Sequence, residues 1–249
     1  MKKKYGLVGY PLGHSFSKGY HNERFARLNI DAEYENYELS DIAMLRDLVT
    51  SDASLCGLNV TIPYKQSVIP FLDEVDGDAE QIGAVNVICI ERDENRVRMV
   101  GRNSDCIGFR ISLLPLLQKH HRKALVLGTG GASRAVVVAL RSLGLTVTVV
   151  SRTPQKGQLA YDEITPNILA EHTLVVNTTP LGMSPHTNAC APIPYEYLTS
   201  QHLCYDVVYN PEVTLFMQRS AQYGAMVCNG LNMLHEQADA AWKMWNNKM

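Results

Sequence analysis

The stretch GLNVTIPYK, Gly57–Lys65, carries an amide, a hydroxyl and an amine at Asn59, Thr61 and Lys65. On a β-strand alternate side chains share a face, so these three point the same way, opposite Leu58, Val60, Ile62 and Tyr64. Pro63 ends the ladder just before the lysine. Converging groups of these kinds can grip a small polar ligand; the plain alternative is the solvated face of an edge strand. A second constellation is VLGTGGASRA, in which Gly128, Gly130 and Gly131 stand between an apolar strand and a helix. Glycines there let a turn fold tightly and let a pyrophosphate approach the backbone, while the helix N-terminus offers free N–H groups. The spacing is G-x-G-G-A-S, with Ser133 where a G-x-G-x-x-G fingerprint has its third glycine.

The strand after that helix, LTVTVVSRT, ends in Ser151, Arg152 and Thr153, with Lys156 beyond. An NAD-type site carries Asp or Glu at this point to accept from the ribose hydroxyl. A carboxylate would repel a 2′-phosphate, whereas Arg pairs with one and stacks on adenine. The strand end therefore favours NADP over NAD, against the alternative of a solvated end that happens to carry Arg.

The elements that must position these groups come in two alternating runs. YGLVGY (5–10), a helical run over 18–28, AEYENYEL (32–39) and a helical run over 42–49 precede GLNVTIPYK. A helix near 78–82, the strand AVNVICIE (84–91), the turn RDENR and VRMVG follow, the last two strands reading as a hairpin. An apolar helical pattern spans 107–120, interrupted by Pro115. The second alternation runs from Lys123 through the glycine turn, with further apolar strands in TLVVNTTPLGM and LCYDVVYN. Leu231, Leu234, Ala238, Ala241, Trp242 and Trp245 then fall at helical spacing, predicting an amphipathic terminal helix. Strand-helix alternation of this kind is the pattern of α/β layers. Two α/β units with a boundary near 103–108 fit best.

Bulk properties narrow the class. In 249 residues, 46% are hydrophobic and 19% charged, with a net charge of -2, the profile of a globular protein without a polyanionic partner. No apolar run reaches membrane-spanning length, and Lys2–Lys4 leads into a short strand pattern rather than a signal-peptide core, so no membrane partner and a cytoplasmic location are expected. Six cysteines lie far apart, with no C-x-x-C pair, and the histidines are scattered, so reduced thiols and no metal site are expected.

GYPLGHSFSKGYHNERF adds a loop bearing Ser15 and Ser17 just before a helix, where an N-cap accounts for one serine. Together with GLNVTIPYK, IGAVNVI, GRNSDCIGF, GTGGASRA, SRT, NTTPLGM, YNPEVT and GLNMLHEQA, in this order over almost the whole chain, the sequence resembles the shikimate dehydrogenases. The resemblance implies an N-terminal α/β substrate-binding domain over 1–103, completed by the C-terminal helix 231–249. It implies a Rossmann-type NADP-binding domain over 104–230, and an active site in the cleft between the two. It also implies the reaction: reversible reduction of 3-dehydroshikimate to shikimate by NADPH, by a monomer or homodimer. Carried over by position, Ser15 and Ser17 would bind the substrate carboxylate. Asn59, Thr61, Lys65, Asn86, Asp105 and Gln237 would hold the hydroxyls and the reacting carbonyl, with Tyr209 near substrate and nicotinamide. Gly128, Thr129, Gly130, Gly131, Ala132, Ser151, Arg152, Thr153, Lys156, Val207 and Gly230 would line the cofactor.

The chemistry asks for such a set. Hydride transfer to a ketone leaves a developing alkoxide, which needs a proton donor and positive charge nearby. Lys65 can supply both, with Asp105 fixing its ammonium and accepting from a substrate hydroxyl. A helix N-cap is the alternative for Asp105. Five positions depart from the family pattern: Ser104 and Cys106 make NSDC of N-T-D-G, Val87 stands for Thr, Ser151 for Asn, and Asn232 for Gly. A quinate/shikimate dehydrogenase with wider substrate or NAD use, and a non-catalytic shikimate sensor, are the competing readings. A folate dehydrogenase with Tyr-x-x-x-Lys is not supported, because Lys65 directly follows Tyr64.

Overall fold

The computed structural model describes residues 2–13, 16–94 and 96–246. By contacts the chain divides into two units, residues 1–104 with 238–249, and residues 105–237.

The first unit contains β1 (Lys3–Gly9), α1 (Phe16–Arg27), β2 (Ala32–Glu38), α2 (Leu45–Ser51), β3 (Leu55–Val60), α3 (Tyr64–Ser67), β4 (Glu74–Val75), α4 (Gly77–Ile82), β5 (Val87–Arg92) and β6 (Val97–Arg102). They form a six-stranded mixed sheet in the order β2-β1-β3-β5-β6-β4. β1 runs parallel to β2 and β3, neighbours reached through the crossover helices α1 and α2, while β5 and β6 form the expected antiparallel hairpin. The helices have local stops. α1 ends where Asn29 takes a positive φ of 50° and the N–H groups of Ile30 and Asn29 turn back to Phe25 and Ala26. α4 begins at Asp76, whose side chain accepts from the Ala79 N–H, and closes at the left-handed Gly83.

Alternation along β1 feeds two apolar clusters. Val8 joins Leu45, Val49, Leu58, Val60, Ile88 and Met99; Tyr5 and Leu7 join Phe25, Ala32 and Tyr34. Trp242 and Trp245 pack against the second cluster from the last helix, and the Trp245 indole donates to the Ile88 carbonyl at 3.1 Å.

GLNVTIPYK is not one strand. β3 stops at Val60, and Pro63 precedes the short helix α3, which carries Lys65. The reason is backbone supply: Pro63 has no N–H for a ladder, and the Tyr64 N–H closes a turn onto the Thr61 carbonyl. The face shared by Asn59, Thr61 and Lys65 therefore does not exist as a strand face, and Ile62, expected inward, is 69% exposed.

The second unit opens with α5 (Asp105–Leu113), which starts at Asp105 and gives way to a 3-10 turn over Leu114–Leu116 at Pro115. Then come β7 (Lys123–Leu127), α6 (Gly131–Ser142), β8 (Thr146–Val150), α7 (Pro166–Glu171), β9 (Leu174–Asn177), β10 (Leu203–Asp206), α8 (Leu215–Gln222), β11 (Met226–Cys228) and α9 (Leu231–Trp245). The strands form a wholly parallel sheet in the order β11-β10-β9-β7-β8. The chain leaves β7 to one side for β8 and returns to the other for β9. In open α/β sheets ligands bind beyond the strand ends at such a switch point. Leu125, Val126, Val175, Val176 and Cys204 are fully buried, as strands covered on both faces require.

Candidate active site

In the first unit, a line of buried hydrogen bonds joins two of the expected substrate residues, Asn59 and Asn86. Asn59 of β3 is 5% exposed; its Oδ1 accepts from the Tyr34 hydroxyl at 2.8 Å, and its Nδ2 donates to the Asn86 carbonyl at 3.2 Å. Ser17 lies in the first turn of α1 and is half-buried. The Asn86 amide is held at both ends by Ser104: Nδ2 donates to Oγ at 3.0 Å, and Oδ1 accepts from the Ser104 N–H at 2.7 Å. Burial holds the Tyr34 phenol well above the ordinary tyrosine range, so it stays a neutral donor.

Thr61 and Lys65, both half-buried, follow on the same chain segment. The Thr61 N–H donates to the Val8 carbonyl at 2.9 Å, and the Lys65 carbonyl accepts from the Val85 N–H at 2.7 Å, which ties α3 to the residue before Asn86. Ser15 lies outside the described residues.

In the second unit, Asp105 is buried at the first position of α5, inside the helix rather than at its cap. Gln237 lies on α9, with Nε2 donating to the Leu234 carbonyl at 2.9 Å, and Gly108 of α5 lies against its backbone. Tyr209 sits on the exposed segment after β10.

The turn between β7 and α6 suits a pyrophosphate. Gly128 has φ of 111°, and a Cβ there would meet Thr178 Oγ1 at 2.9 Å, so no other residue fits without strain. Ser133, in the third-glycine position, donates to the Gly128 carbonyl at 2.6 Å, and Thr178 Oγ1 donates to the Leu127 carbonyl at 2.7 Å. Thr129 and Gly130 are exposed at the N-terminus of α6, Gly131 and Ala132 open its first turn, and no acidic residue stands there. The Gly128 N–H donates to the Val150 carbonyl at 2.9 Å, placing the turn beside the end of β8. There Ser151 is buried and accepts from the Thr153 N–H at 3.2 Å, while Arg152, Thr153 and Lys156 face solvent. A segment 151–156 with Arg152 and Lys156 and no acidic residue, next to an open glycine turn, fits a dinucleotide bearing a 2′-phosphate.

Val207 and Gly230 also meet. The Val207 N–H donates to the Asn177 carbonyl at 3.0 Å, and a Cβ on Gly230 would lie 2.1 Å from the Val207 carbonyl oxygen, which only glycine avoids. Asp206, just before them, is fully buried and accepts from Asn177 Nδ2 at 2.9 Å, the Val208 N–H at 3.0 Å and Thr214 Oγ1 at 2.6 Å. Desolvation pushes its pKa up to about 6 despite those three donors. Among the described residues, no group of three His, Cys, Asp or Glu could hold a metal ion, and no helix is long and apolar enough to cross a membrane.

Residues 7–88 match the family described as the shikimate dehydrogenase substrate binding domain. Over 256 residues the chain is 39% identical to the shikimate dehydrogenase (NADP(+)) of Carboxydothermus hydrogenoformans, covering 96% of this chain and 90% of that one. The chain belongs to the shikimate dehydrogenase family. Two solved shikimate dehydrogenases share its fold. One is a chorismate mutase/shikimate 5-dehydrogenase fusion protein from Clostridium acetobutylicum, with a TM-score of 0.88 at 33% identity over 99% of this chain and 92% of that one. Another, from Thermus thermophilus, was solved in complex with NADP(H) and shikimate; it has a TM-score of 0.85 at 32% identity, covering 98% and 94%.

For a shikimate dehydrogenase, sequence reasoning passed over two residues that organise the candidate site. Tyr34 reads in sequence as one more inward-facing residue of an alternating strand, and its hydroxyl gives no periodic signal. Asp206 ends an apolar strand, and a carboxylate closing a fully buried run was the available clue.

Proposed function

We propose that this shikimate dehydrogenase catalyses the reversible, NADP-dependent reduction of 3-dehydroshikimate to shikimate, a step toward chorismate and the aromatic amino acids. The observation that carries the reading is similarity along nearly the whole chain to a protein solved with both NADP(H) and shikimate. The turn at Gly128–Ala132 would take the pyrophosphate, Arg152, Thr153 and Lys156 the 2′-phosphate end with Ser151 shaping the strand terminus, and Val207 and Gly230 the nicotinamide end. NADP supplies the hydride chemistry when bound. The chain's own residues then bind, orient and move a proton.

Ser15 and Ser17 would donate to the substrate carboxylate. Asn59, Thr61, Asn86 and Gln237 would fix the hydroxyls, and Tyr209 would close on the ring. In the reducing direction Lys65 Nζ gives a proton to the developing alkoxide, and in the oxidising direction it receives one from the hydroxyl. Asp105 would orient that ammonium and accept from a neighbouring substrate hydroxyl. We place the reaction in the cytoplasm, where the six free cysteines would stay reduced.

The test is NADPH formation by the purified protein with shikimate and NADP. Steady turnover is expected, with quinate and NAD each much poorer; no turnover overturns the proposal, and efficient quinate oxidation with NAD replaces it with a broader enzyme. Lys65→Ala and Asp105→Ala are each expected to lower kcat about 10²- to 10⁴-fold with unchanged circular dichroism. Wild-type rates in either variant would remove that residue from the mechanism.

A further inference from the structure

Tyr34 touches no expected ligand, yet every group around it fixes where its hydroxyl points. Its ring lies in the apolar cluster beside Tyr5 and Phe25, fully buried, and the His21 imidazole stacks on it at 4.7 Å with an interplanar angle of 12°. Its backbone is clamped too. β2 is the edge strand of its sheet, and Asn22 of α1 supplies the missing neighbour: its Nδ2 donates to the Tyr34 carbonyl at 2.9 Å and its Oδ1 accepts from the Tyr34 N–H at 2.9 Å. A primary amide offers the same donor and acceptor pair as a peptide group, so Asn22 completes the edge at that residue.

A phenol has one proton, and Tyr34 gives it to Asn59 Oδ1. That choice decides the orientation of the Asn59 amide. With Oδ1 turned to Tyr34, Nδ2 faces the other way; one N–H goes to the Asn86 carbonyl and the second remains to donate. Without the phenol, Oδ1 would be a buried acceptor lacking a donor, and the amide could turn over. Either amide face would then meet the ligand.

We infer that Tyr34 is a positioning residue for the substrate, setting Asn59 as a hydrogen-bond donor toward a ligand hydroxyl. The inference rests on the proposed reaction. It goes beyond it in naming a residue outside the site that selects which end of the Asn59 amide the substrate meets. Because a hydroxyl remote from hydride transfer is gripped alike in ground and transition states, losing that grip raises KM and spares kcat.

The experiment is Tyr34→Phe, which keeps the ring and its stacking. Its KM for shikimate should rise about tenfold, the scale of one hydrogen bond. The kcat should stay within about twofold, with KM for NADP and the far-ultraviolet circular dichroism unchanged. An unchanged KM for shikimate in a folded variant, or a loss confined to kcat, overturns the inference. A second measurement does not depend on the variant folding: in the wild-type protein the assigned Asn59 side-chain NH₂ resonances should shift on titration with shikimate, and no shift overturns it. Wild-type protein that neither binds nor turns over shikimate refutes the reaction itself, a different outcome from an active wild type with an indifferent Tyr34→Phe.

Discussion

His21 shows how one side chain can set a pH limit far from any chemistry. It is fully buried, and neither ring nitrogen has a hydrogen-bond partner among the described residues. Desolvation first, and the Arg24 charge second, lower its pKa to about 3. The unfolded chain holds this imidazole near the ordinary value of about 6.5 and so binds the proton more readily between pH 3 and 6.5. Stability from this residue is therefore whole above about pH 6.5 and drains away as pH falls, by about 2 kcal/mol at pH 5. In His21→Leu the difference between urea midpoints at pH 7 and pH 5 should shrink accordingly. A difference equal to that of the wild type would mean that acid acts elsewhere.

At the scale of elements, Asp206 fastens three pieces together: the end of β9 through Asn177, the turn after β10 through Val208, and the start of α8 through Thr214. Thr214 is also the N-cap of α8, accepting from the Met217 N–H. The link from β9 to β10 contains only a 3-10 turn at Tyr195–Tyr197 over residues 178–202, so little regular structure secures this end of the sheet. Asp206→Ala strands three buried donors and should cost about 3 kcal/mol or more in urea unfolding. A loss below about 1 kcal/mol would show that the pieces hold without the carboxylate. The raised pKa has the opposite sign to that of His21: the folded state keeps this proton more tightly than the unfolded chain, so its contribution is greatest below about pH 4 and is lost as pH rises toward 6.

Over the whole molecule, the division of the chain makes the C-terminus part of the first unit. α9 spans the division, and its residues from Ala238 onward join β1 and α1. Trp242 and Trp245 meet Tyr5 edge-on at 5.4 Å and tilted at 4.9 Å, and Asp239 takes both the Tyr20 hydroxyl, at 2.8 Å, and the Arg24 guanidinium. These are the only two tryptophans in the sequence, so tryptophan fluorescence reports the docking of this helix. Both tryptophans are partly buried, so losing the two together removes aromatic packing that is large beside the about 5–15 kcal/mol that holds a domain folded. A chain ending at Gln237 should thus lose the first unit's cooperative unfolding, followed by circular dichroism in urea. An unfolding curve superimposable on that of the full chain would contradict this account.

How much of this was legible depended on whether a pattern was local. Periodicity and turn residues located α9 at Leu231–Trp245, the hairpin around RDENR and the glycine turn before α6, because each is written in neighbouring residues. Short or edge elements such as β4 and β11 left no pattern long enough to read, and a strand pattern ran on past Val60 because alternation alone cannot register a proline turn. The ordered motifs were sufficient to reach the shikimate dehydrogenases. What only the tertiary structure decided is which polar side chains meet: Tyr34 lies 25 residues from Asn59, and Asp206 lies 29 from Asn177. Hydrogen bonds act through space over about 3 Å, and no spacing along the chain encodes a contact that the fold itself must bring about.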